Sequence, residues 1–112
     1  MELIAAYESK TLEDFYYFGA AIQIIDDWVD MAEDLGNGYL TYPVLGFESR
    51  LPELGPRGLA DLIKSNAERK SFLKETCEKL LREAATKATG LGIPMLPYFI
   101  EKTGIRVAET FA

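Results

Sequence analysis

Gly19-Ala20-Ala21-Ile22-Gln23-Ile24-Ile25-Asp26-Asp27-Trp28-Val29-Asp30-Met31-Ala32-Glu33-Asp34 decides how this chain is read. Wound at ~100° per residue with Asp30 as zero, Asp26 falls near −40°, Asp34 near +40°, Gln23 near +20° and Asp27 near +60°. The opposite arc carries Ile22, Ile24, Ile25, Trp28, Val29, Met31, Ala32 and Leu35. A helix apolar over more than half its circumference is mostly buried. Its acidic stripe must then face something that tolerates charge. Acids spaced i,i+4 repel one another on a helix, and no lysine or arginine occurs between Lys10 and Arg50 to relieve them. The pattern therefore predicts a buried acidic helix whose carboxylates point inward, toward tertiary partners or cations, against the plainer alternative of an amphipathic helix whose acids simply face water.

Outward from this stretch, every segment reads as helix or loop. Thr11-Leu12-Glu13-Asp14 resembles a capping box, which places the acidic helix over about 12–35, with Ser9-Lys10-Thr11 as a break before it. Gly19 is a weak point or a site of close approach, and Gly36-Asn37-Gly38 is a strong stop. Residues 36–58 hold glycines at 36, 38, 46, 55 and 58 and prolines at 43, 52 and 56. They read as a loop with at most one helical turn, long enough to suggest a functional lid. Helices fill about 59–110. A turn or two covers 59–64, and Ser65-Asn66-Ala67-Glu68 caps a long helix to about Thr89 with Leu73, Cys77, Leu80, Leu81 and Ala84 on its apolar face. A last helix follows Pro94 and Pro97 and runs to about Glu109. The fold class is all-α, a helical bundle, either one domain over 1–112 or the C-terminal part of a larger one.

Composition removes several functions. The chain of 112 residues has no histidine, so Ser-His-Asp triads and His-ligated metals cannot be built within it. Glu-x-x-His di-iron sites go for the same reason, and an EF-hand loop is absent. The one cysteine, Cys77, excludes an internal disulfide. No membrane span or basic-headed secretory signal is present, which predicts a cytoplasmic protein without a transmembrane segment. Residues 1–35 carry nine acids against one base, and the remainder nine acids against eleven bases. Such an acidic half will not grip a nucleic-acid backbone. It does suit Mg²⁺, a hard ion held by one or two carboxylates, waters and substrate phosphates.

At these residues the chain resembles the second aspartate-rich motif of class I isoprenoid synthases. Gly19, Gln23, Asp26, Asp27 and Asp30 fall on the G-x-x-x-Q-x-x-D-D-x-x-D pattern of trans-prenyltransferases. Gln23, Asp26, Asp30, Glu33, Asp34, Gly38, Tyr39, Leu40 and Pro43 are similar to the squalene and phytoene synthase pattern, with two extra residues before the proline. The resemblance covers residues 19–43 and implies an α-helical isoprenoid synthase fold that binds an isoprenoid diphosphate through Mg²⁺. Carried over, it makes Asp26, Asp27, Asp30 and Asp34 metal ligands and Gln23 a substrate-side neighbour. Lys102 and Arg106, one turn apart on the last helix, are placed to reach a diphosphate or to form a solvated pair. Tyr39 and Tyr42 are lid or ordinary loop residues, and Phe15-Tyr16-Tyr17-Phe18 lines a cavity or packs in a core.

The chain lacks the family's first aspartate-rich motif, and its length is under half that of the family domain. The resemblance thus implies incomplete catalysis by this chain alone, completed by a missing N-terminal half or another copy. Two other readings stay open: an all-α oligomerisation or scaffold module whose acidic stripe meets a basic partner, and a degenerate subunit that supports a catalytic one. Homo-oligomerisation is expected under each.

Overall fold

The computed structural model describes the backbone of residues 2–91 and 95–112, and side chains at 16–87 and 95–112. Among them the chain is all-α. Helix α1 runs Glu2–Val29, α2 Met31–Gly36, α3 Leu51–Lys64, α4 Ala67–Leu91 and α5 Leu96–Thr110, with 3₁₀ turns at Tyr42–Val44 and Glu48–Arg50. No described helix is long and apolar enough to cross a membrane.

Helices α1 and α4 form the main pair, α5 lies against both, and α2 packs on α3. The core draws Ala21, Ile25 and Trp28 from α1, Met31 and Leu35 from α2, Leu59 and Ile63 from α3, Leu73 and Cys77 from α4, and Val107 from α5. Most of the apolar arc read in the sequence is buried, with Ile25 and Met31 fully enclosed, but Ile22 and Ala32 are only half-buried and Val29 is exposed. Trp28 packs its ring on Phe111, centroids 5.2 Å apart, which ties the end of α1 to the end of α5.

Several boundaries differ from expectation. The first helix passes through Ser9-Lys10-Thr11 without a break and pauses only at Asp30, a turn residue between α1 and α2. No described atom lies within 4 Å of a Cβ placed at Gly19, so that glycine marks no close approach.

The expected 36–58 loop ends eight residues early, because α3 begins at Leu51. Pro52 and Pro56 look like breakers in sequence but stand near the starts of two helical pieces. Proline is tolerated there because its missing N–H would be unpaired anyway. Gly55 at φ 73°, ψ 170° resets the chain between the two pieces. The cap of α4 is Asn66 rather than Ser65: Asn66 Oδ1 accepts the Arg69 N–H at 2.8 Å, while the Ser65 hydroxyl donates back to the Leu62 carbonyl. Helix α5 spans Leu96–Thr110, ending as expected but starting before Pro97, which stands in its first turn. Pro94 and the side chain of Phe15 lie outside the described residues.

Candidate functional site

The acidic row keeps its register across the pause at Asp30. The Asp30 N–H donates to the Asp26 carbonyl at 2.9 Å, and the Asp34 N–H donates to the Asp30 carbonyl at 2.8 Å. Three carboxylates on successive turns therefore share one face, as the spacing required. The row ends in a Schellman cap. Gly38, at φ 84°, donates its N–H to the Leu35 carbonyl, and the Tyr39 N–H donates to the Asp34 carbonyl at 2.8 Å. Glycine takes this left-handed conformation without the steric cost a side chain brings. The cap fixes the direction in which the chain leaves the acids and sets Tyr39 directly after Asp34.

The row does not point inward. Asp30 is exposed, and Asp26 and Asp34 are partly exposed. The buried arc and the acids lie on opposite sides, so the stripe borders an outer surface and not an enclosed cavity. Among the described residues no three acids or thiols converge in a way that could hold a metal ion. The donor set is all oxygen, which suits Mg²⁺ bound by one or two carboxylates with the remaining ligands from water or phosphate.

The acids act on one another electrostatically. Asp27 is held above the ordinary aspartate range, first by partial burial and then by the charges of Asp34, Asp26 and Asp30; a hydrogen bond from Gln23 Nε2 to Asp27 Oδ1 at 2.8 Å opposes the shift. The Gln23 amide is thus engaged with Asp27. Two of the acids, Asp26 and Asp27, also sit in the last turn of α1, where the helix macrodipole is negative and no basic residue stands in that turn.

Relief comes from elsewhere in the fold. Arg106 Nη2 donates to Asp26 Oδ1 at 3.0 Å, from α5 to α1, with both side chains about half exposed. Such a pair contributes about 0–1 kcal/mol. Lys64, from α3, reaches the Val29 carbonyl at the end of α1 at 3.5 Å. Sequence reading placed Arg106 near the site but did not pair it with Asp26, and it missed Lys64 altogether, because a counter-charge 35 or 80 residues away leaves no local signal. Lys102 does not join Arg106: its Nζ lies 5.5 Å from the centre of the Tyr98 ring on its own helix. Tyr39 is brought beside Asp34 by its backbone, with its ring exposed.

Comparison with known proteins adds no identity: no family model, curated protein or solved structure matches the chain.

Proposed function

We propose that this chain is one face of a Mg²⁺-dependent site for an isoprenoid diphosphate, of the class I isoprenoid synthase type, incomplete as a catalyst by itself. The observation that carries the reading is the unbroken i,i+4,i+8 register of Asp26, Asp30 and Asp34, joined by their own backbone hydrogen bonds. The resemblance of residues 19–43 to the second aspartate-rich motif supports it, as do the charges of Asp34, Asp26 and Asp30, which add to burial in holding Asp27 above the ordinary aspartate range. One or two carboxylates of the Asp26, Asp30 and Asp34 row would hold the metal, with water and diphosphate oxygens as its other ligands, Asp27 contributing charge and Gln23 keeping Asp27 oriented. Mg²⁺ supplies charge neutralisation for the diphosphate. Arg106 supplies a guanidinium beside Asp26 that can turn to a phosphate oxygen. Because the row lies at an outer surface, a second surface, from another part of a larger protein or a second copy, closes the site.

The test is calorimetric titration of a non-hydrolysable prenyl diphosphate analogue into the protein in its native assembly, with Mg²⁺ and with EDTA. Saturable heat that needs Mg²⁺ and is lost in Asp26→Ala and Asp30→Ala is the expected result; no heat from the parent protein, or equal heat in EDTA, overturns it. The outward exposure of Asp30 favours one second reading, a scaffold module whose acidic row docks a basic partner surface. That reading predicts association weakened by salt and indifferent to EDTA.

A further inference from the structure

Residues Gly38 to Phe47 carry no charge and no α-helix, and they present Tyr39, Leu40, Tyr42 and Leu45 to solvent. Such a stretch would ordinarily be the loosest part of the chain. Two buried side chains, Pro43 and Val44, pin its 3₁₀ turn from below. From above, one residue of α4 meets it at three points. Arg69 Nη2 donates to the Leu45 carbonyl at 2.6 Å. The same guanidinium lies 5.0 Å from the centre of the Phe47 ring and 6.0 Å from that of Phe72 on its own helix. It also sits 3.3 Å from where a Cβ on Gly46 would stand, at a residue whose φ of 95° already favours glycine. The Asn66 cap holds the Arg69 backbone N–H, so the side chain starts from a fixed base.

We propose that Arg69 is a latch that holds the 38–47 segment against α4 in one conformation, making it a fixed strut beside the acidic row and not a moving lid. A planar guanidinium suits this place, because it donates in its plane to a carbonyl while its face rests on an aromatic ring; a lysine ammonium lacks that geometry. The proposal stands apart from the diphosphate reading: the latch is a property of the folded chain with no ligand bound, and its test uses none.

Amide hydrogen exchange reads it directly. The N–H groups of Val44, Leu45 and Phe47 donate to the carbonyls of Thr41, Tyr42 and Val44. In Arg69→Gln these amides should exchange roughly tenfold faster, the factor expected when one charge-assisted hydrogen bond and a cation–π contact are lost, while amides of Ile25 and Leu73 in the core change less than about twofold. Arg69→Lys should lie between the two. Gly46→Ala, which pushes a methyl toward the guanidinium, should loosen the same three amides by an independent route. Unchanged exchange at 44–47 in Arg69→Gln overturns the latch. So does loosening that spreads equally to Ile25 and Leu73, or a variant that does not fold, since Arg69 would then be a general support of the core.

Discussion

Asp27 shows how far local charge departs from local sequence. Its carboxyl is raised mainly by burial and then by three neighbouring acids, so it binds its proton more readily in the folded chain than in the unfolded one. The stabilising contribution of that proton is complete below the ordinary aspartate range and is lost as pH rises through the raised value. At pH 7 the charge therefore opposes folding. Asp27→Asn removes it and leaves a carbonyl oxygen for the Gln23 amide. The variant should melt higher than the parent at pH 7, by roughly 0.5 kcal/mol in stability, with the difference shrinking as pH approaches 4. A variant that melts lower at pH 7 would contradict this.

Cys77 tests the core in the same spirit. It is fully buried against the Ala21 carbonyl, with its thiol pushed up to about 11 by that burial and, less, by Glu78. A thiol reagent at pH 8 should label it only as fast as the chain unfolds, and at once in denaturant. The neutral thiol's contribution to stability holds below the ordinary thiol value and fades as pH climbs through about 11. Both residues were singled out in the sequence. Cys77 was read correctly as a small buried hydrophobe from helical spacing alone. The pairing of Gln23 with Asp27 is not legible in the sequence, although the two are one turn apart, because i,i+4 spacing brings the side chains near each other without fixing where the amide donates.

Among the elements, periodicity located α4 and α5 to within a few residues, whereas the acidic helix expected over about 12–35 starts ten residues earlier, at Glu2, and is divided at Asp30 into α1 and α2. Periodicity failed where glycine and proline serve as starts and resets. The sequence Leu51-Pro52-Glu53-Leu54-Gly55-Pro56 reads as loop, yet Pro52 opens one helical piece and Gly55 swings the chain into the next. Gly55 is the residue on which this depends. Its φ of 73° with ψ of 170° lies in a region open essentially to glycine alone, so Gly55→Ala should cost about 1–3 kcal/mol, measured as a lower urea midpoint with an unchanged slope. A midpoint equal to the parent's would mean that α3 runs straight through this position. The end of the acidic helix, in contrast, was legible: Gly36-Asn37-Gly38 contains the residue that the Schellman cap requires.

At the scale of the whole molecule, the described helices form a slab of 52 × 32 × 18 Å, and the radius of gyration of 16.6 Å exceeds the ~13 Å of a compact chain of this length. A slab about two helix layers thick buries one stripe of each helix and leaves the opposite stripe at the surface. That is why the acids, correctly placed opposite the apolar arc, face outward: local pattern dictates which side of α1 is buried, but what lies beyond the other side is set by elements far away in sequence or in another chain. Among the described residues, Arg106 relieves the row at Asp26 and Lys64 meets the end of α1.

In the proposed function, the charge left on the row is matched by a divalent ion carrying a diphosphate. The decisive experiment is calorimetric titration of a prenyl diphosphate analogue, with and without Mg²⁺, on the parent and on Asp30→Ala. Saturable, Mg²⁺-dependent heat in the parent that disappears in the variant is expected; binding that persists in EDTA, or survives the loss of Asp30, would overturn the proposal.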